Sequence, residues 1–249
     1  MQNPSQEAIN KIRTLLIDKQ FLKVEHEVNN LIKNYPKSFI LWNMLGVVAY
    51  ETGKFEDAKK AYIKSITINP NYAFAYNNLG LVLKDQGNFD EAIKVFKKTT
   101  ALQPDFVDAY NNMSATLSER GEFEEAIELC KKAISIQPDF AEAFNNMGVI
   151  YREQGNINES LLALKKAKLL KPDYADAYNN LGIVLRDQGN FEEAIKVFKK
   201  AIEFQPEHTE SYNNLGVCLS DQGRMDESIE AHKKAILLKP DFDMARASK

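Results

Sequence analysis

An all-α solenoid of stacked helix-turn-helix units is predicted by three observations on this sequence. Seven of its eight prolines, Pro36, Pro70, Pro104, Pro138, Pro172, Pro206 and Pro240, stand 34 residues apart. Glycine recurs on the same step at Gly53, Gly87, Gly121, Gly155, Gly189 and Gly223. Between these marks apolar residues follow i, i+3, i+4, i+7, the spacing of one buried helix face.

With the proline set as position 32, the full repeats are 39–72, 73–106, 107–140, 141–174, 175–208 and 209–242. Before them, residues 1–38 hold a divergent unit. Leu15, Phe21, Val24, Val28, Leu31, Ile32 and Pro36 keep the spacing, while Lys11 and Lys19 replace small or apolar residues. A terminal unit with one face in water tolerates such changes, so this unit is expected to cap the array.

Each full repeat opens with helix A. Position 4 is aromatic (Trp42, Tyr76, Tyr110, Phe144, Tyr178, Tyr212) and position 7 is Leu or Met. Position 8 is small, with Gly46, Gly80, Ser114, Gly148, Gly182 and Gly216. The glycine at position 15 ends the helix, because glycine tolerates a left-handed cap. Asn88, Asn156 and Asn190 follow it, with Glu91, Glu159 and Glu193 three residues on. That pattern predicts a capping box at the start of helix B. Position 20 is again small (Ala58, Ala92, Ala126, Ser160, Ala194, Ser228), so the two helices should approach closely. The proline then stops helix B. Residues 243–249, after the last proline, read as the start of a truncated further helix A, and an uncapped end there suggests a chain that continues.

This combination of period, small residues, glycine and proline resembles the tetratricopeptide repeat family over nearly the whole chain. The resemblance implies a right-handed superhelix, with helix A lining a concave surface to which positions 2, 5, 6, 9, 12 and 13 contribute. It also implies a protein or peptide ligand, and no cofactor.

Positions 5 and 6 are then the leading candidates. They are Asn43 with Met44, then Asn77-Asn78, Asn111-Asn112, Asn145-Asn146, Asn179-Asn180 and Asn213-Asn214. Asparagine costs several tenths of a kcal/mol against alanine inside a helix, so successive pairs need a reason. One reason is that a member of each pair, position 5 foremost, bonds a neighbouring helix. The other is a ladder of carboxamides, each both donor and acceptor, holding the backbone of an extended ligand. The ladder is similar to that of the O-linked N-acetylglucosamine transferases. That likeness extends to Asn78, Asn112, Asn146, Asn180 and Asn214, and Met44 interrupts it at its start. Position 12 adds Lys84, Arg152 and Arg186 to the peptide-binding candidates, beside acidic residues at position 13 (Glu51, Asp85, Glu119, Glu153, Asp187, Asp221). Position 9 is apolar, which argues against the cationic clamp that some family members use for acidic C-termini.

Composition excludes other classes. A net charge of -3 and a pI near 5.8 leave no basic footprint for nucleic acid. Lysine pairs late in helix B, such as Lys131-Lys132, suit the helix dipole, and Glu128 one turn before Lys132 is expected to pair with it. No apolar run reaches the roughly 18 residues of a membrane span, and no signal peptide is seen. Cys130 and Cys218 are too few for a disulfide framework. A cytoplasmic protein with reduced thiols is expected. His26, His208 and His232 fall in different repeats without metal-type spacing, and His232, Cys130 and Cys218 sit at core positions. No phosphate loop occurs, so the chain is not read as an enzyme. Residues 75–100 and 177–202 differ at five positions, which points to duplication and to repeated subsites. The expected function is a scaffold for an extended polypeptide, as the recognition arm of a larger protein. The alternative is a scaffold that assembles with its own kind through the uncapped C-terminal face.

Overall fold

The computed structural model describes residues 4–239. They form α1 (Gln6–Ile17), α2 (Phe21–Asn34), α3 (Phe39–Glu51), α4 (Phe55–Ile68), α5 (Ala73–Asp85), α6 (Phe89–Leu102) and α7 (Val107–Glu119). There follow α8 (Phe123–Ile136), α9 (Ala141–Glu153), α10 (Ile157–Leu170), α11 (Ala175–Asp187), α12 (Phe191–Phe204), α13 (Thr209–Asp221) and α14 (Met225–Leu238). Odd-numbered helices are helix A of their repeats and even-numbered ones helix B. The chain divides into two compact units, Met1–Glu122 with α1–α7 and Phe123–Lys249 with α8–α14.

In the first unit each helix packs on the next, and α5 also lies beside α3 and α7. The second unit repeats this from α8 to α14, with α11 beside α9 and α13. From α3 to α7 and from α9 to α13, helix A of one repeat therefore touches helix A of the next, and this positions the asparagines.

The small residues do what their spacing implies. A Cβ added at Gly80 would lie 2.5 Å from the Phe96 ring, and one at Gly182 would lie 2.5 Å from the Phe198 ring. Position 24 of helix B thus lies directly over position 8 of helix A. Phe96 and Phe198 are fully buried there, each stabilising the fold by about 1.5–3 kcal/mol. Ser160 and Ser228 at position 20 donate their hydroxyls to the Gly148 and Gly216 carbonyls at 2.6 and 2.7 Å. In the second unit Leu181, Val184, Leu185, Ile195, Phe198 and Leu219 form the centre of the core, which includes Cys218. Cys130 is also buried, and neither cysteine is in a disulfide. His232 packs half-buried over Gly216, in the place of the aromatic rings.

The turn between helices A and B corrects one expectation. Asn88, Asn156 and Asn190 do occupy the N-cap, but none makes a side-chain capping bond. Their backbone N–H groups are already committed: Asn88 N donates to Leu83 O at 2.8 Å and Asn190 N to Leu185 O at 2.9 Å. Gly87 N and Gly189 N donate to Lys84 O and Arg186 O at 2.8 Å. These are the two bonds of a Schellman motif, with glycine at φ 75° and 76°. The motif consumes the N–H that a capping-box glutamate would accept. Lys19 holds the same left-handed place in the divergent unit at φ 54°, and Lys11 pairs with Glu27 at 2.8 Å. At the far end of α4, α6, α10, α12 and α14 the residue before the proline is extended, as in Gln103 and Gln205 at ψ 92° and 91°. The expected start of a further helix at 243–249 lies outside the described residues.

Candidate functional site

The asparagine pairs resolve into two roles. Asn43, Asn77, Asn145, Asn179 and Asn213 at position 5 are buried. Four of them accept from position 6 of the next repeat. In the first unit Asn78 Nδ2 donates to Asn43 Oδ1 at 3.2 Å and Asn112 Nδ2 to Asn77 Oδ1 at 3.1 Å. In the second unit Asn180 Nδ2 donates to Asn145 Oδ1 and Asn214 Nδ2 to Asn179 Oδ1, both at 2.9 Å. Asn111 and Asn146 are engaged as well. Asn78, Asn112, Asn146 and Asn180 are half-buried, whereas Asn214 is buried.

This arrangement follows from carboxamide chemistry. A primary amide carries two N–H donors and an acceptor oxygen. The bond to the preceding repeat uses one N–H of Asn78, Asn112 and Asn180 and fixes the plane of the group. The second N–H and Oδ1 lie on a half-exposed side chain. Met44 has no such amide, and it is buried.

Position 12 forms a second row. Tyr50 Oη donates to Asp85 Oδ2 at 2.5 Å, Lys84 lies 3.5 Å from Glu119, and Arg152 Nε donates to Asp187 Oδ2 at 3.0 Å. Each bond joins position 12 to position 13 of the next repeat. Arg186 also reaches Asp187 at 3.1 Å. The three basic candidates are therefore paired with neighbouring acids. Burial and the Asp85 carboxylate push the Tyr50 phenol well above its ordinary range. Position 9, with Val47, Leu81, Ala115, Val149, Ile183 and Val217, is half-buried throughout. Its residues give the asparagines an apolar border.

A third row was not foreseen. Position 14 bonds position 18 of the preceding repeat: Gln86 to Glu56 at 2.9 Å, Arg120 to Asp90 at 2.6 Å and Gln222 to Glu192 at 2.7 Å. Elsewhere, Glu128 pairs with Lys131 at 2.7 Å and not with Lys132, because the i, i+3 geometry brings that ammonium closer.

One cluster of chemically capable groups is also new. His208 Nε2 lies 2.9 Å from Asp176 Oδ1, and His208 Nδ1 lies 2.7 Å from Ser211 Oγ. The order is that of a nucleophile, base and orienting acid. Ser211 is 0% exposed, however, and its backbone N–H donates to the same Nδ1 at 3.2 Å. The imidazole therefore works as an N-cap that fastens α13 to α11. Its partners lie 32 and 3 residues away, so no local pattern marked them. Among the described residues, no group of three His, Cys, Asp or Glu side chains could hold a metal, and no helix is long and apolar enough to cross a membrane.

Comparison with known families decides what this stack is. Models described as tetratricopeptide repeats match residues 37–105, 95–128, 175–208 and 209–242. A further model described as TPR repeat matches 116–151 and 148–186. Together they run without a gap from residue 37 to residue 242. The chain belongs to the tetratricopeptide repeat family. As a tetratricopeptide protein it is a protein-interaction scaffold on an all-α helical-repeat solenoid, a fold that is generally non-catalytic.

Solved structures agree on the tetratricopeptide fold. A chain of the APC/C hetero-tetramer Cut9-Hcn1 superposes with a TM-score of 0.78 at 16% identity, over 95% of this chain and 46% of that one. This chain thus spans less than half the length of that relative. Pseudomonas aeruginosa pilF gives 0.65 at 17% identity, covering 86% and 99%. MamA gives 0.52 at 28% identity, covering 69% and 98%. The comparison with curated proteins finds no match.

Proposed function

We propose that this chain is a non-catalytic scaffold that holds an extended polypeptide along its helix A asparagines, as the recognition arm of a larger protein. The observation that carries the reading is the division of labour within the pairs. Position 5 lies buried as acceptor, and position 6 is left half-exposed with one N–H fixed (Asn78, Asn112, Asn180). A carboxamide oriented before binding loses less side-chain freedom on meeting a ligand.

Peptide backbone suits such groups, since each residue offers one donor and one acceptor. Packed helices lie about 8–10 Å apart, and an extended chain rises about 3.3 Å per residue. One rung thus meets roughly every third ligand residue. Each neutral bond contributes about 0.5–1.5 kcal/mol, so affinity accumulates over several rungs and tolerates ligand sequence. Position 9 offers apolar contact to ligand side chains. Lys84, Arg152 and Arg186 flank the rungs with charges already balanced by Glu119 and Asp187.

The test is retention of a random peptide library by the native chain and by a variant with Asn78, Asn112, Asn146 and Asn180 changed to alanine. Asn214 stays, because it is buried. Loss of peptide by a variant that keeps its helical circular dichroism is the expected result. Equal retention by both would remove the asparagines from the binding site.

A further inference from the structure

A second binding surface emerges in the first unit, away from the asparagines. Between α4, α5 and α6 runs an open cleft of about 680 Å³. Its floor is Ile66, Leu79 and Val95, and its α4 edge is Ile63. Its α6 edge carries Lys94, Lys97 and Lys98, and no acidic residue lines it. The cleft beside Trp42 one repeat earlier measures about 440 Å³ and mixes Lys60 and Lys64 with Glu25 and Asp57. The cleft beside Tyr212 mixes Lys199 with Asp226, Glu227 and Glu230. Only the cleft beside Tyr76, among these three, joins an apolar floor to a rim lined by lysines and by no acidic residue.

The sequence marks the same place independently. Ile63 stands at position 25, where the other five repeats have Lys97, Lys131, Lys165, Lys199 and Lys233. A solvated lysine has thus been replaced by an isoleucine that remains 46% exposed. Neither Lys94 nor Lys98 forms an ion pair among the described residues, whereas Lys97 is already engaged within the chain.

We propose that this cleft takes an amphipathic helix from a protein partner, with apolar residues on one stripe and acidic residues flanking it. Three features select that occupant. The cleft residues follow helical spacing on both sides, Ile63, Ile66 and Thr67 on α4 and Lys94, Lys98 and Ala101 on α6. From Lys94 to Ala101 this covers about 10 Å, or two helical turns. That length admits two turns of a partner helix, whose own i, i+3 or i+4, i+7 stripe would meet the apolar floor. The rim charge then requires carboxylates beside the stripe, and such complementarity governs both specificity and association rate.

The proposal is independent of the asparagine face. The probe is a fluorescein-labelled peptide about four turns long, with leucine at i, i+4, i+7 and i+11 and glutamate on both flanks. The comparison peptide has the same composition with the period broken. Fluorescence anisotropy against the native chain should show saturable binding that weakens as salt rises. Ile63→Lys restores the residue of the other repeats, so the fold should be kept, and binding should fall by about tenfold or more. Lys94→Glu with Lys98→Glu should weaken it similarly, while the asparagine variant should bind as the native chain does. Equal binding by native and Ile63→Lys proteins, or by the periodic and scrambled peptides, would overturn the proposal. So would binding of dodecanoate without binding of the helix, which would make the cleft a site for a small amphiphilic anion.

Discussion

Changing Asn179 to alanine separates the supporting asparagines from the exposed ones. Asn179 Oδ1 accepts from Asn214 Nδ2 at 2.9 Å and from Ser211 Oγ at 3.3 Å. Ser211 keeps a second partner in His208 Nδ1 at 2.7 Å, so its hydroxyl has somewhere to turn. Asn214 is only 5% exposed and has no comparable escape. A buried donor stranded in this way costs about 1–3 kcal/mol, so the expected loss is about 2–3 kcal/mol, placed at the joint between α11 and α13. Asn43→Ala removes the same kind of acceptor, but its donor Asn78 is half-exposed and can bond water. That loss should be about 0.5–1.5 kcal/mol. Repeat arrays unfold in parts, so urea unfolding should be followed by circular dichroism together with hydrogen exchange resolved to α13. The reasoning fails if Asn179→Ala changes stability by less than about 0.5 kcal/mol and α13 exchanges as before.

Other consequences follow from the packing. Gly182→Ala drives a methyl into the Phe198 ring and should destabilise by about 1–3 kcal/mol. An unchanged midpoint in thermal melts would contradict the contact. Ser38 Oγ is buried without a hydrogen-bond partner, so Ser38→Ala should leave stability unchanged or raise it by up to about 1 kcal/mol, and a clear loss in urea would disprove this. Burial pushes the phenols of Tyr62, Tyr72 and Tyr174 above their ordinary range, and a nearby carboxylate adds to this at Tyr174. Their folded pKa values exceed the unfolded value, so their contribution is complete below about pH 10 and is lost as pH rises beyond it. Unfolding midpoints should therefore fall as pH rises from about 10 to about 12, and a flat profile would argue against this burial.

Much of this was legible because a repeat shows the same physical constraint six times. Gly182 could be tied to its neighbour helix from sequence, since small residues recur at positions 8 and 20, where the two helices approach. The Schellman turn was only half legible: the glycine signalled a left-handed residue, but Asn190 and Glu193 also fitted a capping box. The backbone N–H of Asn190 decided between them by bonding Leu185. The asparagine pairs posed a similar problem. Sequence showed that Asn77 and Asn78 needed a reason, but the direction of the amide bond depends on how neighbouring repeats stack. Lys84 and Arg152 looked like free cations because Glu119 and Asp187 lie 35 residues on, beyond any local pattern. Ile63 was visible as the one missing lysine in its column, yet it gained meaning only with the cleft beside it.

The central claim is that position-6 amides read the backbone of an extended chain, and peptide-library retention tests it most directly. The native protein should hold peptides of many sequences, with weak dependence on salt because the reading groups are neutral. The variant lacking Asn78, Asn112, Asn146 and Asn180, still helical, should release them. If that variant holds the library as firmly as the native chain, the amides serve stacking alone, and the binding function belongs elsewhere on the molecule.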